Sequence, residues 1–141
     1  MGLATLRRDG FASMDATAEP GGLTTKPLRF NGRFLFVNAD ARGGELSVAV
    51  LGPNGKVVPG FERENCRSIR ADGTRQRVTW NRQADMANLR GMPVSLQFEA
   101  KAAQLYSFWV SPDESGASYG YVAAGGPGIT GPTDTIGAKR P

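Results

Sequence analysis

Residues 33–58 read R-F-L-F-V-N-A-D-A-R-G-G-E-L-S-V-A-V-L-G-P-N-G-K-V-V, a stretch of alternating side chains broken by two turns. Leu35 and Val37 alternate with Phe34 and Phe36, and Leu46, Val48 and Val50 alternate with Ser47 and Ala49. Aromatic and β-branched residues at period two suit a pleated, half-buried surface. The pattern predicts two strands paired with each other through a turn over residues 40–44. A second turn follows at Pro53-Asn54-Gly55-Lys56, where Pro presets φ and Asn-Gly accepts a positive φ.

The rest of the chain is read the same way. Asp9-Gly10 separates two short alternating runs, 3–8 and 11–15, and predicts a hairpin. Residues 16–22 read as a loop around Glu19-Pro20-Gly21-Gly22, and an extended path resumes at Leu23. Pro27 cannot donate to a ladder, so it falls at an edge or between strands. Asn31-Gly32 and Asp72-Gly73 are further reversal signals, and the latter leads into a strand over 75–80 with Val78 and Trp80 inward. Met86 and Leu89, three apart, fit one helical turn over 85–89.

Residues 93–101 give the cleanest strand, with Val94, Leu96, Phe98 and Ala100 on one face and Ser95, Gln97, Glu99 and Lys101 on the other. In the run 105–110 both faces carry apolar groups, as in a strand covered on both sides. Val48, Val50, Val78, Trp80, Leu96, Phe98 and Phe108 are the expected core. The fold class is therefore all-β, an antiparallel β-sandwich of jelly-roll-like kind.

At 141 residues the chain has the size of one domain able to hold a core without metal or disulfide. The sandwich is assigned to residues 1–112. Residues 113–141 are rich in Gly, Pro and Thr and read as a flexible tail, with a peripheral strand at 119–122. Nineteen Gly and nine Pro agree with many reversals.

The net charge of +4 comes from cations scattered along the chain rather than clustered. That argues for a solvated rim and against a nucleic-acid partner. No apolar run is long enough for a membrane span, and no membrane partner is expected.

Catalytic chemistry is thin. The chain has no His, which removes the Ser-His-Asp and Cys-His arrangements and His-ligated metals, and its single Cys66 reads as a small buried side chain. Asn38, Asp40 and Glu45 flank one turn and could present oxygens to Ca²⁺, which asks for about six to eight. A structural turn explains them as well. Asp9 and Asp15 could be imagined as paired carboxylates for glycoside hydrolysis. Turn chemistry, however, accounts for Asp9 without catalysis.

Most aromatics alternate with polar residues and belong to the core. Trp109 is the exception, sharing a face with Leu105 and Ser107 opposite Tyr106 and Phe108. It is the candidate for stacking on a sugar at an exposed surface.

The order of pieces carries a resemblance. L-R-R-D-G-F-A-S-M-D-A at 6–16 is followed by G-G-L-T-T-K-P-L, F-L-F-V-N-A-D, G-E-L-S-V-A-V-L, P-G-F with Cys66, R-V-T-W, P-V-S-L-Q-F and L-Y-S-F-W-V. Over about residues 3–110 the chain resembles the β-sandwich module at the C-terminal end of bacterial proteins whose upstream part looks like a five-bladed-propeller glycosidase of the invertase and inulinase type. In such enzymes the catalytic carboxylates belong to the propeller, so the resemblance implies no catalytic residue here.

It implies instead a non-catalytic accessory domain that stabilises a glycoside hydrolase or assists carbohydrate recognition. Its partners would be the propeller or carbohydrate, in an extracellular or periplasmic setting if the parent is exported. Two other readings stay open: an assembly module that meets copies of itself through strand edges, and a stand-alone carboxylate-based glycosidase.

Overall fold

The computed structural model describes residues 1–117. It is an antiparallel β-sandwich of seven strands: β1 (Met14–Ala16), β2 (Gly21–Thr24), β3 (Phe34–Asp40), β4 (Glu45–Leu51), β5 (Asp72–Arg77), β6 (Ser95–Lys101) and β7 (Ala103–Ser111). One sheet has the order β1-β7-β3-β5 and the other β2-β6-β4. The chain therefore changes sheet at every step from β1 to β7. The strand expected at 119–122 and the tail beyond it lie outside the described residues.

This alternation overturns the predicted pairing of the two organising strands. β3 pairs with β5 and β7, whereas β4 pairs with β6 in the opposite sheet. Period-two patterning marks a strand but does not name its neighbour. The five residues from Leu35 to Ala39 are all buried, because β3 is covered on both faces.

The turn at 41–44 is a corner between sheets. It packs against the other corner, Ala102, which joins β6 to β7 in a single residue at φ 44°. A Cβ on Gly44 would collide with the Lys101 carbonyl oxygen, so the two corners stack only because that side chain is absent.

Other expected hairpins dissolve for related reasons. Gly10 N–H bonds back to Arg7 C=O as a local turn, and residues 3–8 form no strand; their anchor is the Arg7 side chain. Gly21 and Gly22, read as loop, begin β2 against Ala100 and Glu99. Asn31-Gly32 carries the chain from a bridge between Leu28 and Val94 across to β3 in the other sheet. Asp72 and Gly73 are not a turn but the start of β5, opposite Asp40 and Ala39. That strand ends at Arg77, before Val78 and Trp80.

The core holds Leu35, Val37, Val48, Val50, Val78, Trp80, Leu96 and Phe98, with Phe108 packed on it. Phe61 meets Trp80 edge-on at 4.9 Å and Phe98 meets Phe108 at 5.1 Å. Burying each large side chain stabilises the fold by roughly 1.5–3 kcal/mol. The expected helical turn is present as a 3-10 turn at Ala87–Leu89, with Met86 and Leu89 buried beside it. Asp85 Oδ1 accepts the Ala87 N–H at 2.9 Å to start it.

Packing continues past residue 112. Ala117 is fully buried, Ser111 Oγ donates to its carbonyl at 2.6 Å, and Glu114 pairs with Arg77.

Candidate functional site

The outer face of the four-stranded sheet holds the polar constellation, and a bulge places it. Asn38 pairs with Ser107 and the next residue, Ala39, pairs with Leu105, which leaves Tyr106 as an extra residue in β7. A bulge of this kind reverses side-chain parity beyond it. Ala103 and Leu105 point into the core on one side of it, Phe108 and Val110 on the other. The reading of Trp109 as sharing a face with Leu105 is corrected by this: Trp109 lies on the outer face and Leu105 on the inner.

Trp109 is not laid open as a platform. Its ring stacks on Phe36 at 5.6 Å and 15°, and its Nε1–H donates to Gly116 C=O at 2.9 Å, so residues 111–117 fold over that part of the sheet.

At the other end of β7 the register aligns one residue from each strand. Asp15 opposes Gln104, Gln104 opposes Asp40, and Asp40 opposes Asp72. Directly opposed residues share a face. Three carboxylates and a carboxamide thus form a row across the sheet, with neighbours about 4.8 Å apart along the backbone.

Arginines manage this charge. Arg42 holds Asp40 through two side-chain bonds of 3.0 and 2.7 Å and through its backbone N–H at 3.2 Å. The Arg42 side chain, then its N–H, keep the Asp40 carboxyl at about 2 against an ordinary 3.8. Arg7 reaches Asp72 at 2.5 Å, Asn38 Oδ1 at 2.6 Å and Ala39 C=O at 3.1 Å, and lies 4.6 Å from the centre of the Tyr106 ring.

A groove of about 570 Å³ opens beside the row. Its polar lining is Asp15, Asp40, Arg42 and Gln104; its small residues are Ala16, Gly43, Ala102 and Ala103. Asp15 accepts from Ser13 Oγ at 2.5 Å and from Gln104 Nε2 at 3.5 Å, and Gln104 Oε1 accepts from the Tyr106 hydroxyl at 3.1 Å.

The three residues named for Ca²⁺ do not share this arrangement. Asn38 is buried, its Oδ1 taken by Arg7 and its Nδ2 donating to Arg8 C=O at 2.6 Å. Asp40 is taken by Arg42, and Glu45 by Arg70 at 2.6 Å. Among the described residues no three acidic or Cys side chains group as metal ligands. Asp9 lies 3.6 Å from Arg8 and outside the groove, so the structure separates it from Asp15's surroundings.

Cys66 is half-buried against the core. Its Sγ accepts the Val48 N–H at 3.4 Å, and burial pushes its thiol pKa up, which makes it a poor nucleophile.

Sequence reasoning missed Gln104, Arg42, Asp72 and Arg7. The readable signal was the break in parity along 103–110, which marks a bulge; the partners across the row follow only from register. No family model, curated protein or solved structure matches the chain.

Proposed function

We propose that the domain is a non-catalytic accessory β-sandwich that accompanies a propeller-type glycoside hydrolase, orienting it and assisting carbohydrate recognition. One observation carries this reading. The exposed large apolar side chains concentrate in the N-terminal segment, at Leu3 (93% exposed), Leu6, Phe11 (89%) and Met14, and Arg7 clamps that segment to the sheet. A fixed segment that displays apolar groups fits a neighbouring domain, and it contains the L-R-R-D-G-F stretch with which the resemblance begins.

The state of the carboxylates supports the non-catalytic half. A proton donor needs a raised pKa. Among the named candidates, Glu45 is paired with Arg70 and Asp9 lies beside Arg8, while Asp15 is held by Ser13 and Gln104, and Asp9 and Asp15 do not share one cleft. Asp40 is lowered by Arg42, and Glu62 by the Gly60 N–H and Asn65. Asp85 is lowered too, since the Ala87 N–H and Arg33 outweigh its burial.

The jelly-roll likeness belongs to the same proposal. The two-sheet order β1-β7-β3-β5 and β2-β6-β4, with the irregular residues 57–70 beside β4 in place of an eighth strand, supports it.

The purified domain should turn over no fructoside, arabinoside or sialoside. Fusing it to its propeller partner should raise the partner's melting temperature, and Leu3→Ser with Phe11→Ser should cancel the gain. Turnover that vanishes on changing Asp9, Asp15 or Glu45 would overturn the reading.

A further inference from the structure

We propose that the groove at the corner end of the sandwich binds a neutral saccharide directly, with the Asp15–Gln104–Asp40 row and Arg42 gripping its hydroxyls. This rests on the accessory reading and names its ligand class.

The geometry supplies what a diol needs. Carboxylates accept from hydroxyls, a guanidinium donates to them, and a carboxamide does both. The register brings these groups onto one face of three adjacent strands, so Asp15 and Asp40 flank Gln104 at a backbone separation of about 10 Å. Gln104 is oriented by the Tyr106 hydroxyl and Asp40 by Arg42, so both reach the ligand with little rotamer freedom left to lose. Each keeps unused capacity: a carboxylate has about four lone-pair sites and a guanidinium five donors.

Beside these polar groups the groove is lined by the small residues Ala16, Gly43, Ala102 and Ala103, an apolar surface against which the C–H face of a ring can rest.

Charge selects the class. The polar lining carries two acids and one base, so its net negative charge repels an anionic sugar or phosphate but not a neutral saccharide. The site lies far from Trp109. Trp109 lies opposite Phe36 and Gln104 opposite Asp40, four steps along β3 or about 13 Å.

The test uses the whole chain, titrated with neutral fructo-, arabino- and xylo-oligosaccharides, with oligogalacturonate as the anionic arm and Ca²⁺ alone as a control. The readouts are calorimetry and the NMR signals of the Gln104 carboxamide and the Arg42 Nε–H. A neutral oligosaccharide should bind and shift both signals. Asp15→Ala and Gln104→Ala should each weaken it about tenfold, the loss of one good polar contact, while Trp109→Phe stays within about twofold. Melting curves on each variant separate lost binding from lost fold.

Neutral binding that ignores both groove variants, or that fails with Trp109→Phe, would place the sugar elsewhere and overturn the groove while leaving the accessory role standing. Binding only to oligogalacturonate, only with Ca²⁺, or to nothing at about 10 mM sugar, about tenfold above a millimolar Kd, overturns it too. The fusion experiment, which does not depend on sugar, judges the accessory role separately.

Discussion

Replacing Arg7 tests whether the N-terminal segment is a fixed part of the fold. Its side chain is 19% exposed and bonds Asn38, Asp72 and the Ala39 carbonyl while lying over Tyr106. Truncation to Ala removes charge-assisted bonds of about 1.5–3 kcal/mol each and a cation–π contact of about 0.5–2 kcal/mol. It also leaves the Oδ1 of Asn38, a residue only 1% exposed, without its donor. Against this stands the entropy of pinning a long side chain, and Asp72 is one-third exposed and so partly screened. The net expectation is a loss of about 2–4 kcal/mol. Arg7→Lys should recover less than half, because an ammonium cannot span three acceptors. Urea melts measure both, and amide exchange across residues 3–13 should rise with Arg7→Ala. A loss below about 0.5 kcal/mol, the level of an ordinary surface change, would refute the clamp and with it the rigid display of Leu3 and Phe11.

Three other outcomes follow from the same structure. Phe98→Ala should cost about 3–5 kcal/mol by denaturant melt, since its ring fills the gap between the sheets. Stability should be level near neutrality and fall as pH drops from about 4 toward 2, because Asp40, Glu62 and Asp85 have lowered native pKa values and the unfolded chain takes up protons first; acid titration followed by circular dichroism reads this. The raised Cys66 pKa acts in the opposite direction, so its contribution is present below about 8.5 and lost above it, and the thiol should react slowly with disulfide reagents until the chain is denatured.

Legibility divides along physical lines. Strand existence and the inward residues were readable because burial imposes period two locally: Val94, Leu96 and Phe98 declare one face without any partner. Pairing was not readable. Asp40-Gly44 looks like a hairpin turn, yet it is a corner whose shape depends on Ala102, 58 residues later than Gly44 and invisible to local reasoning. The candidate groove fails the same way. Asp15, Asp40 and Gln104 are unremarkable apart and become a row only through the registers of β1, β3 and β7.

β4 is one edge of the three-stranded sheet, where unpaired backbone would invite another copy. Residues 46, 48 and 50 point away from β6, and each is answered. Leu46 exchanges both its bonds with Ile69, and Val50 bonds Phe61 C=O and Val58 N–H. Val48 has no backbone partner at all: its N–H goes to Cys66 Sγ at 3.4 Å and its C=O accepts the Trp80 indole N–H at 2.9 Å. Two side chains thus close the one gap that irregular residues 57–70 leave in the edge. Trp80→Phe keeps most of the buried ring and removes only that donor. It should cost about 1–3 kcal/mol for the orphaned carbonyl and turn β4 into an edge able to pair, read as concentration-dependent sedimentation absent from the parent. A parent domain that already associates through β4, seen as protection of the amides at 46–50 that depends on protein concentration, would show that the seal opens in solution and would favour the assembly reading over the accessory one.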